Sequence, residues 1–168
     1  MKIRERIRDV VEQSLDARAH QIGVNAELLS AIDRCSRATE EHDRTEFYTA
    51  LLQANLFVAI EEHPQRWRFG RAEENACPVP LKGCMATSGK RLLTVFTDAA
   101  AMRNYFAVVP YWIEMPGAAY LKMIAPLDFD ELVINPFDPK RKMLRPGCTV
   151  TRAEVLELAR RIAANADR

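Results

Sequence analysis

Four cysteines and three histidines are the residues of this 168-residue chain best suited to covalent or metal chemistry. Cys148 is the strongest candidate among them. It follows Pro146-Gly147 and stands just before a helix start, where a thiol's pKa can be lowered. A sulfur-transfer enzyme would ring such a cysteine with backbone amides from a loop containing Gly and Arg. Cys148-Thr149-Val150-Thr151 supplies β-branched residues instead. The favoured reading is therefore a buried small side chain, and a thiol-dependent, sulfur-transfer-like enzyme using Cys148 is the alternative. Cys77, Cys84 and His63 do not have the spacing of a metal knuckle, and a fourth ligand is missing. His20, His42 and His63 lie in polar contexts with no Ser or Cys nucleophile near them in the pattern. No catalytic residue, cofactor or metal is expected.

Two segments have the chemistry of binding rather than catalysis. Gln65-Arg66-Trp67-Arg68-Phe69-Gly70-Arg71 interleaves guanidinium groups with aromatic rings. Lys140-Arg141-Lys142-Met143-Leu144-Arg145 is a second basic run. Brought together, they would form a surface able to stack bases and pair phosphates. Trp and Arg are also enriched at protein-binding hot spots. Arg66, Trp67, Arg68, Phe69, Arg71, Lys140, Arg141 and Lys142 are accordingly the candidate contacts for a protein partner, with nucleic acid the weaker reading.

Gly83-x5-Gly89-Lys90-Arg91 superficially resembles a phosphate-binding loop. The true motif has four residues between its glycines, Ser or Thr after the Lys, and a helix behind it. Here a strand follows, so a hairpin turn is expected.

Composition narrows the classes further. Lys and Arg number 24 against 23 for Asp and Glu, and that balance argues against a dedicated binder of nucleic acid or anionic membrane. The apolar fraction of 48% is that of an ordinary globular protein. No apolar run approaches the roughly 20 residues that span a bilayer, and the N-terminus lacks a signal-peptide core. A cytoplasmic protein with reduced thiols is expected.

The elements follow from periodicity. Ile3, Ile7, Val10, Val11 and Leu15 describe an amphipathic helix over residues 2–20. Asn25 is a candidate cap for a second helix carrying Leu28, Leu29, Ile32 and Cys35. Together they read as an N-terminal helical arm, residues 1–42, before a body of residues 43–168. In the body, Asp43 and Glu46 suggest a capping box for a helix that Asn55 ends. Strands are expected at 56–60, 81–86, 91–97, 108–115 and 130–134, the second and third as a hairpin across Ser88-Gly89. Residues 61–80, broken by prolines, read as a long loop. Short helices follow Asp98 and Gly117. Thr151-Arg152-Ala153-Glu154 is a full capping box for the last helix. This order gives an α+β fold: a mixed β-sheet with a hairpin, helices packed on it, and the N-terminal arm.

Three stretches carry a resemblance. They are Ala50-Leu51-Leu52-x-Ala54-x-Leu56-x-Val58, Leu92-Leu93-Thr94-Val95-Phe96-Thr97-Asp98, and the strand ending Val133-Ile134-Asn135-Pro136 before a variable turn and a final helix. In this order they resemble the N-terminal domain of the SseB family, named for the enhanced serine sensitivity protein, over roughly residues 43–162. The chain departs from the family pattern in its arm, and longer members continue into a second domain whose roles do not transfer. The resemblance implies no established enzymatic activity. It implies links to stress, secretion or toxin-associated gene neighbourhoods, and an interaction or adaptor role. Self-association through the apolar stripes of the arm, as a homodimer, is the expected use of those helices.

Overall fold

The computed structural model describes residues 23–37, 41–61, 81–108, 110–138, 140 and 145–166. The described chain forms five helices and six strands. They are α1 (Gly23–Arg37), α2 (Glu41–Gln53), β1 (Asn55–Ile60), β2 (Gly83–Met85), β3 (Arg91–Phe96), α3 (Ala99–Tyr105), β4 (Tyr111–Pro116), α4 (Gly117–Ile124), β5 (Glu131–Ile134), β6 (Cys148–Thr151) and α5 (Arg152–Ala166). The fold is α+β with one mixed sheet, as expected. Strand order is β4-β1-β3-β5-β6, with β2 paired to the start of β3. Among the described strands, only the β3–β5 pair is parallel.

Apolar periodicity explains both faces. Leu56, Val58, Val95, Leu132, Ile134 and Val150 point to one side. There they meet Phe47 and Leu51 of α2, Tyr120 and Leu121 of α4, and Val155 and Leu158 of α5. Phe57, Ala59 and Phe96 point to the other, where Ala99, Ala101 and Met102 of α3 cover them. The continuous run Leu56–Ile60 is thus buried on both faces, as the lack of alternation requires.

Backbone contacts set the helix packing. A Cβ on Gly117 would lie 1.9 Å from the Leu51 carbonyl oxygen, so only glycine lets α4 start against the end of α2. The β2–β3 hairpin turns at Gly89, whose φ of +84° suits glycine.

Several boundaries differ from the sequence reading, each for a local reason. α1 starts at Gly23, so Asn25 lies in its first turn. Its amide reaches away from the helix, donating to the carbonyls of Asn55 (3.2 Å) and Thr97. α2 starts at Glu41, and Glu46 pairs with Arg34 at 2.9 Å rather than closing a capping box. Asn55 opens β1 instead of ending the helix. β4 begins only after Pro110, which has no N–H for the ladder, leaving Val108 before the strand. β6 was not expected at all. Leu28, Ala31 and Ile32 of α1 are buried in the main core with the strands, so the second apolar stripe docks on the body. The stripe from Ile3 to Leu15 lies outside the described residues.

Candidate functional site

Ile60 and Leu81, flanking the segment 62–80 that lies outside the described residues, meet at the edge of the sheet. An antiparallel bridge joins those two residues, and the Lys82 N–H donates to the Ala59 carbonyl at 3.0 Å. The two flanks of that segment are thus held together. The candidate residues Arg66, Trp67, Arg68, Phe69 and Arg71, and the expected long loop over 61–80, lie outside the described residues except Glu61.

On the face of the sheet that α3 covers lies a ring-rich cluster. Phe96 packs against Phe106 with centroids 5.7 Å apart, Tyr105 meets Phe106 edge-on at 5.0 Å, and Trp112 lies 5.1 Å from Phe57. The Lys82 ammonium sits 5.5 Å above the Phe106 ring, which ties the returning loop to the end of α3. Two residues beyond Phe106, Val108 is 81% exposed. Tyr111, paired with Ile60 across the β4–β1 ladder, is 51% exposed, and Met85 on β2 is 70% exposed. Large apolar side chains in solvent are candidate contact residues. Sequence reading missed Val108 and Tyr111 because a strand from 108 to 115 gives each an ordinary place in a half-buried ladder.

At the carboxyl ends of β3 and β5, directly after Phe96, lies a buried polar knot. Asn135 adopts φ +48°. Its Oδ1 accepts from the Thr97 N–H at 2.9 Å, and its Nδ2 donates to the Pro146 carbonyl at 2.9 Å and to Thr97 Oγ1 at 3.0 Å. A Cβ on Gly147 would come 2.4 Å from the Asn135 carbonyl oxygen. Asp98 caps α3 through the Ala101 N–H at 2.8 Å and holds Arg145 at 2.7 Å. Every one of these groups is satisfied locally, which is the behaviour of a structural clasp. The clasp anchors the segment carrying Lys140, whose side chain is exposed and whose N–H donates to Asp138 at 2.9 Å. Arg141 and Lys142 lie outside the described residues. Of the two basic segments, only Lys140 and Arg145 lie within the described residues.

A third cluster joins α2 to α5. The Arg44 guanidinium donates to Glu154 Oε1 (2.6 Å from Nη2), the Tyr48 hydroxyl (2.9 Å), Cys35 Sγ (3.4 Å) and the Thr149 carbonyl (3.2 Å). Tyr48 Oη donates to the same Glu154 oxygen. The other oxygen accepts from the Thr151 N–H at 2.6 Å and hydroxyl at 2.7 Å. Burial alone would raise the Glu154 pKa. The hydrogen bonds from Tyr48, Thr151 and Arg44 outweigh it and hold the carboxyl down at about 2. Burial, reinforced by the Glu154 charge, pushes the Tyr48 hydroxyl up to about 12. The expected capping box at Thr151–Glu154 is present, and one of its members doubles as the centre of this network.

Cys148 opens β6 with its sulfur against the core. Burial raises its thiol to about 12, with Arg44 pulling down and Cys35 pushing up. A nucleophilic cysteine needs the opposite. Cys84 lies on β2 beside Tyr105, whose hydroxyl burial raises to about 12 with help from Cys84. Cys77, His20 and His63 lie outside the described residues, as does the His42 side chain. Gly83, Gly89, Lys90 and Arg91 form the expected hairpin, with Lys90 on Glu131 and Arg91 on Asp128. Among the described residues, no group of three or more His, Cys, Asp or Glu is placed to hold a metal ion, and no helix is long and apolar enough to cross a membrane.

Comparison with curated proteins finds no match. Comparison with family profiles matches residues 28–148 to the SseB protein N-terminal domain. The matched span starts inside α1, takes in the whole sheet up to the first residue of β6, and covers well over half of the chain. It includes all three stretches that carried the resemblance, on β1, β3 and β5. The chain belongs to the SseB family.

Proposed function

We propose that this protein is a non-enzymatic protein-interaction or adaptor module whose contact surface lies at the root of the 61–80 loop. The observation that supports the reading is the exposure of Val108, Tyr111 and Met85, with Tyr111 paired to Ile60, which lies just ahead in sequence of the segment containing Trp67, Phe69 and three arginines. Exposed apolar residues, and a nearby stretch of sequence rich in Trp and Arg, match the composition of a binding hot spot. The raised Cys148 thiol and the self-satisfied polar knot offer no competing chemistry. A partner from secretion, toxin-immunity or stress systems fits the family resemblance.

Self-association belongs to the same proposal. The stripe Ile3, Ile7, Val10, Val11 and Leu15 needs burial, and pairing it between two copies would satisfy it. Light scattering on the full chain and on a chain starting at Gly23 separates the cases: a dimer that becomes a monomer supports the pairing, and two monomers reject it.

The contact surface is tested by the double substitution Val108→Asp, Tyr111→Ser. Both side chains are exposed, so the fold should persist, with unchanged circular dichroism. Proteins that co-purify with the parent from its own host should be lost. Retention of the same proteins by the double variant would refute the assigned surface.

A further inference from the structure

We propose that the partner protein adds an extended segment, carrying a basic residue, as a further strand along the free edge of β4. The inference rests on the contact surface proposed above and names what that surface takes. Among the described strands, β4 is the last on its side of the sheet and pairs only with β1. Register fixes which of its backbone groups stay open. The Gly117 N–H donates to the Ala54 carbonyl at 2.8 Å, and the β1–β4 ladder continues from there in unbroken register. Antiparallel pairing alternates, so Met115, Ile113 and Tyr111 turn their backbone groups to Leu56, Val58 and Ile60. The Ala59 carbonyl accepts from the Lys82 N–H on the far side of β1, in keeping with that phase. Trp112 and Glu114 therefore turn their N–H and C=O groups outward. The next outward positions on either side are Pro110 and Pro116, which have no N–H to give. The prolines bound the open row, and the Trp112 and Glu114 donors between them can hold a short added strand.

The side chains beside this row set the chemistry of the occupant. Trp112 packs on Phe57 on the α3 face, while Ile113 and Met115 lie half-buried against the main core on the other. Tyr111, at the start of the strand, joins the edge to the surface at Val108. Both faces thus offer an apolar shelf. Glu114 is exposed, shares the face of Trp112, and is the one charged residue of β4. Among the described residues it has no ion-pair partner. A Lys or Arg opposite it would supply the missing charge. A second copy would not. Two β4 strands paired about Ile113 would set each Glu114 against an indole and leave the two carboxylates diagonal on one face, roughly 7–8 Å apart at ordinary sheet spacing.

The probe is a library of random peptides displayed on phage and selected on the immobilised full chain. The selected peptides should alternate apolar residues with Lys or Arg. N-methylation of every second backbone amide should weaken binding about tenfold per site, and methylation of the amides between should change it little. Glu114→Pro removes an N–H that faces solvent, so the circular dichroism should not change while affinity falls about tenfold. Glu114→Lys leaves the backbone intact and should exchange the basic preference for an acidic one. Peptides lost in the Val108→Asp, Tyr111→Ser variant, yet indifferent to Glu114→Pro and to alternate methylation, would overturn strand addition and leave the contact surface standing. Peptides with the reverse behaviour would support the edge and reject that surface. A library that yields no binder would overturn the proposal. So would a parent dimer that Glu114→Pro turns into a monomer, which would make a second copy the occupant.

Discussion

Replacing Glu154 with Gln should give a stability loss that depends on pH in a defined direction. The carboxylate accepts hydrogen bonds from Arg44, Tyr48 and both donors of Thr151, and they bring its pKa from the usual 4.5 to about 2. Such a displacement corresponds to roughly 3 kcal/mol of preference for the ionised form in the folded state. The side chain is 28% exposed, and solvent screening reduces the expected figure to about 2 kcal/mol. Gln keeps the shape and can still close the capping box, so the charge is the main loss. The sign follows from linkage. The folded pKa is depressed, so the contribution is fully present above the unfolded pKa near 4.5 and disappears as pH falls through 4.5 towards 2. Urea denaturation followed by tryptophan fluorescence at pH 7 and pH 3 measures it. The parent should exceed Glu154→Gln by about 2 kcal/mol at pH 7, with more than half of that gap gone at pH 3. An equal gap at both pH values would refute the charge argument and reduce Glu154 to a neutral cap.

Other substitutions test the packing. Phe96→Ala should cost about 3–5 kcal/mol in denaturant titration, since Phe96 is fully buried beneath Tyr105 and Phe106, and a melting point that does not move would contradict that burial. Thr151→Ala should cost about 0.5–2 kcal/mol, because the Glu154 N–H loses its acceptor at 3.3 Å; a variant as stable as the parent would mean the cap is idle. Gly117→Ala should destabilise by about 3 kcal/mol, since its methyl would overlap the Leu51 carbonyl, and a soluble variant with parental stability would show that α2 and α4 can separate at little cost.

The central strands were legible because their sequences allow nothing else. Leu56–Ile60 and Leu92–Phe96 are too short for buried helices and too apolar for loops. The last capping box was legible because both partners lie within four residues. β6 was hidden behind that box. Cys148-Thr149-Val150-Thr151 does alternate, with Cys148 and Val150 inward, but Thr151 serves both as strand end and as cap, and the cap signal is the louder. Asn25 has the residue type of a cap, yet its partners are 30 and 72 residues away, which no local rule can supply. The Arg44–Glu154 network spans 110 positions in sequence. Its local traces are the pair Arg44 and Tyr48, one helical turn apart, and the Thr151–Glu154 box. The exposed set at the loop root was out of reach for a different reason. Burial depends on which strand stands next to which, and the pairing of β1 with both β3 and β4 is decided by the whole sheet.

Site-specific photo-cross-linking in living cells tests the interaction reading most directly. A benzophenone side chain is placed at Val108 or Tyr111, and at Arg160 on the exposed face of α5 as a control. The same discrete protein adduct should appear from positions 108 and 111 and be missing from 160. Adducts that are equal at all three positions, or found only at 160, would contradict a contact surface at the root of the loop.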